Sequence, residues 1–215
     1  MAIKNFIFDI DGTLIDTYDV YMPTLFEVLA DYGYHYTPEE EEHYSKEVFG
    51  IPGWESLEYI GNIKKDQMQE ILDAWDEAAE VKQQDAKVID GVPEMLEELS
   101  NRPGVQLGIV TSKVRDEYEN YFHQMFDIAK YFSFAVTASE TVKHKPFGDP
   151  IVKAMEDSGS KPEESIYVGD TVNDMKAAID AGTHFAGAIY DSAMPERIKD
   201  SEFLLKKPQD LLKVK

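Results

Sequence analysis

Apolar residues in this chain of 215 residues follow two patterns, one typical of buried strands and the other of helices. From Lys4 to Ile10, β-branched and aromatic residues follow one another with little polar interruption, which predicts a buried first strand. From about Tyr18 to Gln84 strand patterns are absent, and Glu, Tyr, Leu and Ala recur at helical spacing in MPTLFEVLADYG, TPEEEEHYSKEVFG and DQMQEILDAWDEAAEV. This stretch therefore predicts a small, all-helical insert, in which Thr37 is the expected N-cap of one helix.

After Asp90 the two patterns alternate along the chain. The predicted helices are VPEMLEELS, VRDEYENYFHQMF, DPIVKAMEDSG and NDMKAAIDAG, and the predicted strands are VQLGIVTS, FSFAVTAS, SIYVGD and HFAGAIY. This alternation predicts the α/β class, with a Rossmann-like parallel sheet, helices on both faces and the helical segment inserted after the first strand. We expect an α/β core over residues 1–16 and 85–215, and a helical cap domain over residues 17–84.

Polar residues and glycines follow three of the predicted strands. They are Asp9, Asp11, Gly12 and Thr13 after the first strand, Thr111, Ser112 and Lys113 after VQLGIV, and Gly169, Asp170 and Asp174 after SIYV. Lys143 and Lys145 lie between the last two groups, ahead of a helix. In open sheets of this kind ligands bind beyond the carboxyl ends of the strands, so we expect these side chains to converge there.

The chemistry of these residues favours a phosphate site that also holds a metal. A carboxylate can attack a phosphoryl group covalently, and clustered carboxylates are the hard oxygen ligands that Mg²⁺ prefers. Thr111 offers a hydroxyl donor, Lys145 offers a positive charge, and Gly12 lets the backbone turn so that its N–H groups face an anion. Four carboxylates packed together would repel one another strongly, and this repulsion predicts a cation among them.

Other interpretations of the same residues exist. DIDGT is also an ordinary turn after a strand. A calcium loop of the EF-hand type requires Gly at its sixth position and Glu at its twelfth, whereas counting from Asp9 gives Gly12 in fourth place and Val20 in twelfth. Lys143 or His144 could take the place of Lys145.

The composition of the chain limits the classes of molecule that it is expected to bind. The 42 acidic and 21 basic residues give a net charge of −21, which disfavours nucleic acid and anionic membranes and means that an anionic substrate needs local cations. The chain has no cysteine, so disulfides, zinc–thiolate sites and thiol nucleophiles are excluded. No apolar run approaches the ~20 residues of a membrane span, and the N-terminal segment reaches acidic residues too early for a signal peptide. We expect a soluble cytoplasmic protein, monomeric by default, that acts on a small phosphorylated metabolite.

Taken in order, the motifs FDIDGTLIDT, IVTSK, KHKPFGDP and YVGDTVNDM resemble those of the haloacid dehalogenase-like (HAD) superfamily of phosphotransferases over essentially the whole chain. The helical insert resembles the C1-type cap of its phosphoglycolate phosphatase and β-phosphoglucomutase group. The resemblance implies that Asp9 is the nucleophile, and that Asp11 is the general acid, then the base, and lends a backbone carbonyl to Mg²⁺. It also implies two ligand sets, with phosphoryl oxygens held by Thr111, Ser112 and Lys145, and Mg²⁺ bound or oriented by Asp9, Asp11, Asp170 and Asp174.

Single positions separate the branches of this superfamily. The dehalogenase and phosphonate-cleaving branches lack an Asp at the place of Asp11. Tyr21 stands where the mutase branch carries His, and Gly148 replaces the Pro of the commoner KPxPDP motif. The resemblance therefore predicts a Mg²⁺-dependent phosphomonoester hydrolase for a phosphoglycolate-like substrate or a sugar phosphate.

Three alternatives remain open at this point. A phosphomutase of the β-phosphoglucomutase type differs by little in sequence, and a metal-binding protein without activity could keep the same motifs. A receiver-like signalling protein also forms a phospho-aspartate, but Asp11 beside it would make that intermediate short-lived.

Overall fold

The computed structural model of the protein describes residues 2–214. This part of the chain divides into two compact units, one ending at Ile15 and resuming at Val88, the other running from Asp16 to Lys87. The first unit is built around a parallel sheet and the second is built from helices. No helix within residues 2–214 is both long and apolar enough to cross a membrane.

The α/β unit contains a six-stranded sheet in which every neighbouring pair is parallel. Its strands are β1 (Asn5–Phe8), β4 (Gln106–Val110), β5 (Phe134–Val136), β6 (Ser165–Gly169), β7 (His184–Ala188) and β8 (Phe203–Leu205), in the spatial order β5-β4-β1-β6-β7-β8. Every residue of β1 is buried, and β1 pairs with β4 on one side and with β6 on the other. The predicted fold class is confirmed, with the first strand at the centre of the sheet.

Four α-helices of this unit flank the sheet: α5 (Val92–Ser100), α6 (Arg115–Tyr118), α7 (Asp149–Ser158) and α8 (Val172–Ala181). They match the predicted helices except after Tyr118, where the predicted single helix changes to a π-helical turn over Glu119–His123. Strand β8 was not predicted, because only three residues of the polar C-terminal region pair with β7.

Small residues bring the helices and strands of the core together. Ala154 of α7 and Ala177 and Ala178 of α8 are fully buried in one cluster with Ile7 of β1. In β4, a Cβ on Gly108 would lie 2.1 Å from the ring of Phe134, so glycine is needed there for the ring to lie across the strand.

The helical unit contains α1 (Tyr18–Asp31), α2 (Pro38–Val48), α3 (Gly53–Ile60) and α4 (Met68–Lys82). Helix α1 packs against α4, and the buried indole of Trp75 donates a hydrogen bond to the carbonyl of Tyr21 at 3.1 Å. Thr37 caps α2 as predicted, since its hydroxyl accepts from the N–H of Glu40 and its own N–H donates to the Glu40 carboxylate. Helix α3 was not predicted. The short strands β2 (Ile15–Asp16) and β3 (Lys87–Val88) pair where the chain passes between the units.

Candidate active site

The order of the central strands brings three of the predicted polar segments to one edge of the sheet. Asp9 follows β1, Thr111 follows β4 and Asp170 follows β6, and these strands are parallel neighbours. The ladder continues into the first of these segments, because the N–H of Asp9 donates to the carbonyl of Val168 at 2.9 Å. Burial of the hydrophobic strand thus fixes the backbone of Asp9 at the edge of the sheet.

Three carboxylates lie together at this edge. Asp9, Asp170 and Asp174 each offer an oxygen within 4.8 Å of the others, and all three residues are at most 3% exposed. The ammonium of Lys145, which is also buried, lies 2.9 Å from Asp9 Oδ1 and 2.8 Å from Asp174 Oδ1. The cluster therefore places one lysine charge among three carboxylates in a site that is almost closed to solvent.

This imbalance of charge changes the pKa values of the cluster. Burial raises the pKa of Asp9 to about 7; Lys145 opposes the rise, while Asp174 and Asp11 add to it. Burial, followed by repulsion from Asp174 and Asp9, holds the pKa of Asp170 well above its usual range. Burial disfavours the charged form of Lys145, but Asp174 and Asp9 outweigh that effect and raise its pKa. The charged form of Lys145 is thus favoured, whereas the charged forms of Asp9 and Asp170 are disfavoured.

The donor set fits a hard divalent cation. Asp170 Oδ2 is buried and has no hydrogen-bond partner among residues 2–214, which is costly unless another group binds it. Carboxylate oxygens are the ligands that Mg²⁺ prefers, and an added double positive charge would offset the repulsion within the cluster. The predicted clustering of Asp9, Asp170 and Asp174 is therefore present. Within the described chain, Asp170 Oδ2 is a buried oxygen that could bind a cation without breaking a hydrogen bond.

Asp174 is held from several directions. Its Oδ1 lies 2.8 Å from Lys145 Nζ and 3.1 Å from the Tyr167 hydroxyl, and its Oδ2 accepts from the N–H and the hydroxyl of Thr171. The Thr171 hydroxyl in turn accepts from the Asp174 N–H, which completes the capping box of α8. A Cβ on Gly169 would lie 2.5 Å from Asp174 Cγ, so only glycine lets the carboxylate reach this position.

Asp11 occupies a different environment from Asp9. Its Oδ2 lies 3.1 Å from Lys113 Nζ, and its Oδ1 is buried without a hydrogen-bond partner in the described chain. Its carboxylate is not part of the group of three. The two acids therefore have different lysine partners. Residues two apart on an extended chain point to the same side, so this separation comes from the bend at Ile10 that follows β1.

The turn after Asp11 differs from the expectation in one respect. Gly12 has a φ of +70°, which suits glycine. Its N–H, which we expected near an anion, is instead donated to the carbonyl of Ile15 at 2.9 Å.

Thr111 and Ser112 form the turn after β4. The N–H of Thr111 donates to the carbonyl of Val136, and its hydroxyl accepts from the N–H of Lys113 at 3.2 Å. Of the two predicted lysines ahead of α7, Lys145 is the one in the cluster. The Nζ of Lys143, an exposed residue, lies instead over the ring of Phe147, 5.3 Å from its centroid.

The structure explains why Gly148 stands in place of the Pro of the KPxPDP motif. The N–H of Gly148 donates to Asp180 Oδ2 at 2.7 Å, and a Cβ on Gly148 would lie 2.5 Å from the backbone nitrogen of Ala181. Proline has no N–H and would not fit against α8, so glycine at this position is matched by an acid near the end of α8.

Three residues of the site, Tyr167, Tyr190 and Ser192, were missed from sequence, whereas Thr13 was expected there. Thr13 Oγ1 donates to Asp170 Oδ1 at 3.2 Å, the Tyr190 hydroxyl donates to the carbonyl of Thr13 at 2.9 Å, and Ser192 Oγ donates to the carbonyl of Asp170 at 2.6 Å. The hydroxyl of Tyr167 lies 3.0 Å from the Val110 carbonyl and 3.2 Å from Lys145 Nζ. A tyrosine inside the apolar segment SIYVGD was a usable signal, since a buried hydroxyl needs a polar partner.

Comparison with known proteins identifies the family. The family model for haloacid dehalogenase-like hydrolases matches residues 6–188, which is most of the chain. The protein belongs to the haloacid dehalogenase-like hydrolases. The predicted membership is confirmed, as is the prediction of an enzyme of the phosphatase type.

Individual relatives of this HAD-like hydrolase cover nearly its full length. The pyrophosphatase PpaX of Anoxybacillus flavithermus is 32% identical over 100% of this chain and 97% of its own, and that of Bacillus velezensis is 31% identical over 97% and 94%. A crystal structure from Lactobacillus plantarum, of a protein proposed to be a phosphoglycolate phosphatase, superimposes with a TM-score of 0.87 at 25% identity and covers 99% of both chains. Membership in a hydrolase family argues against the receiver alternative.

Proposed function

We propose that this protein is a Mg²⁺-dependent phosphohydrolase for a small phosphorylated metabolite and that it works through an aspartyl-phosphate on Asp9. The observation that carries the proposal is the buried cluster of Asp9, Asp170 and Asp174 around Lys145, with Asp11 next to it in a separate environment. Such a cluster costs free energy in the absence of a cation. It is suited to bind a divalent ion together with a phosphoryl group.

In the proposed first step, a carboxylate oxygen of Asp9 attacks phosphorus, and the bond to the leaving oxygen breaks as that oxygen takes a proton from Asp11. In the second step Asp11 removes a proton from water. The resulting hydroxide attacks the phosphoryl group and releases phosphate and the Asp9 carboxylate. Rigid positioning of Asp9 by the β1–β6 ladder favours the first attack.

Charge compensation is assigned to the remaining residues. The Thr111 hydroxyl, the Ser112 N–H and the Lys145 ammonium would hold the phosphoryl oxygens. The carboxylates of Asp9, Asp170 and Asp174, with the backbone carbonyl of Asp11, would hold Mg²⁺, which when bound neutralises charge on the carboxylates and the phosphoryl group. We assign residues 17–84 the role of a helical cap that excludes water during the first step.

A phosphoglycolate-like molecule or a sugar phosphate is the first candidate substrate. Pyrophosphate is a second candidate, favoured by the pyrophosphatases that resemble this chain along its length. A mutase remains a weaker alternative, because the place of the mutase histidine is taken by Tyr21, whose hydroxyl accepts a hydrogen bond from Gln83 at 2.8 Å.

Phosphate release tests the proposal. The wild-type protein is assayed with phosphoglycolate, sugar phosphates, pyrophosphate and p-nitrophenyl phosphate, each with Mg²⁺ and with excess EDTA. We expect turnover only with Mg²⁺, a loss on the order of a thousandfold or more in Asp9→Asn, and phosphate on Asp9 after acid quenching. Asp157→Asn is the matched control, since Asp157 is a helical residue paired with Lys153 on the surface of α7. Normal turnover by Asp9→Asn would refute the mechanism.

A further inference from the structure

Lys113 is the second lysine at the site, and the proposed reaction has not used it. It directly follows the Thr111–Ser112 turn, and its Nζ lies 3.1 Å from Asp11 Oδ2. Its side chain is 12% exposed, against 3% for Lys145. The site therefore has two cations of different character, one enclosed with Asp9 and one partly open beside Asp11.

The ammonium of Lys145 is in contact with Asp9, the proposed nucleophile. Its Nζ lies within 3.2 Å of Asp9, Asp174 and the Tyr167 hydroxyl, and an ammonium has three N–H donors. Lys145 thus offsets charge among the carboxylates, and the proposed function also assigns it to the transferred phosphoryl group. A substrate that carries further negative charge needs a different cation, since the chain has a net charge of −21.

We propose that Lys113 is a specificity-determining residue that binds an anionic leaving group, and that the substrate class is accordingly one whose leaving group carries its own negative charge, such as inorganic pyrophosphate. This inference rests on the proposed function, in which Asp11 protonates the leaving oxygen. A cation 3.1 Å from Asp11 lies on the leaving-group side of the reaction. There it can form a charge-assisted hydrogen bond with the phosphate that departs, and a neutral alcohol would gain nothing from it.

A simpler role for Lys113 would be to position Asp11. The two roles differ in their dependence on the leaving group. Loss of a residue that positions Asp11 would slow every substrate whose leaving oxygen needs a proton, including alkyl monoesters with a neutral leaving group. Loss of a residue that binds the leaving phosphate would slow pyrophosphate alone.

The test compares three substrates in excess Mg²⁺: pyrophosphate, whose leaving group is phosphate; glycerol 2-phosphate, whose leaving group is a neutral alcohol; and p-nitrophenyl phosphate, whose aryl leaving group carries no phosphate or carboxylate. Lys113→Gln and Lys113→Arg are compared with wild type and with Lys130→Gln, whose exposed ammonium lies over the Tyr131 ring. We expect Lys113→Gln to lose about 10- to 100-fold in kcat/KM for pyrophosphate, and less than about threefold for both esters. We expect Lys113→Arg to recover most of the loss, because it keeps the charge.

Three results would overturn the inference: an equal loss for pyrophosphate and glycerol 2-phosphate, an unchanged rate for pyrophosphate in Lys113→Gln, or a wild-type enzyme that cleaves both esters but neither pyrophosphate nor phosphoglycolate. Each leaves the proposed phosphatase mechanism standing. Absence of Mg²⁺-dependent turnover with all three substrates would instead refute the proposed function. If Lys113→Gln does not fold, as judged by circular dichroism, Lys113→Met keeps a long side chain without the charge and replaces it in the same comparison.

Discussion

The protonation of Asp9 makes the stability of the metal-free protein depend on pH. The pKa of this carboxyl is about 7 in the folded protein, against an ordinary value of 3.8. Between these values the folded protein holds a proton that the unfolded chain has released, so the free energy of unfolding falls as pH rises. The difference corresponds to about 4 kcal/mol lost between pH 4 and pH 7. Asp9→Asn cannot titrate, and we expect its stability in EDTA to fall less over this range.

Bound Mg²⁺ should narrow the difference in stability between the two proteins. In EDTA at pH 8, Asp9→Asn is expected to be the more stable protein, because it no longer buries that ionised carboxylate beside Asp174. A ligand at one hundred times its dissociation constant stabilises by about 2.7 kcal/mol, so saturating Mg²⁺ should stabilise the wild type by an amount of this order and Asp9→Asn by less.

Urea unfolding followed by far-ultraviolet circular dichroism, at pH 5 to 8 with and without Mg²⁺, measures both effects. Tryptophan fluorescence is unsuitable, because Trp54 and Trp75 both lie in the helical unit. Asp157→Asn, an exposed change on α7, serves as the control and should follow the wild type. Parallel curves for wild type and Asp9→Asn in EDTA would show that the cluster does not hold the Asp9 proton and would refute the reasoning.

Three further predictions follow from close contacts. Gly169→Ala would push a methyl group to 2.5 Å from Asp174 Cγ, so we expect weaker Mg²⁺ binding by calorimetry and at least a tenfold loss of activity; unchanged Mg²⁺ affinity would contradict this. Tyr190→Phe removes the hydrogen bond to the Thr13 carbonyl, so we expect it to lower the free energy of unfolding by about 1 kcal/mol and to weaken Mg²⁺ binding several-fold. A loss of stability without any change in Mg²⁺ affinity would limit Tyr190 to a structural role. Thr37→Ala removes the α2 cap and should destabilise the helical unit by about 1 kcal/mol in tryptophan-detected unfolding, whereas Thr37→Ser should not; equal effects of the two changes would argue against capping.

The sequence allowed the α/β unit to be predicted well because its strands are buried and its helices amphipathic. Continuous apolar segments such as Phe6–Phe8 mark central parallel strands, and the rule that ligands bind beyond strand ends directs attention to Asp9, Thr111 and Asp170. The structure places these residues directly after the ends of adjacent strands. The role of each residue in the reaction came from the resemblance to a family and remains a proposal.

The remaining features depend on contacts between distant segments. Tyr190 reaches Thr13 across 177 residues of sequence, and Gly148 depends on Asp180 of another helix, so no local pattern contains either pair. Helix α3 was missed because it is short and starts directly after Pro52 in a segment rich in Gly and Pro. Such short elements are stabilised by tertiary packing more than by their own propensity.

The central position of β1 has a consequence for local opening of the protein. Its backbone is paired on both sides, with Gln106–Ile109 and with Ser165–Val168, so its amide groups cannot be exposed by fraying of an edge strand. Amide hydrogen exchange at Ile7, Phe8 and Asp9 should therefore require unfolding of the whole sheet and should be among the slowest in the chain. The N–H of Lys113 donates to the Thr111 hydroxyl outside the sheet ladder, so we expect it to exchange through smaller openings. The proposed contact with the leaving group can then adjust while the proposed nucleophile keeps its place.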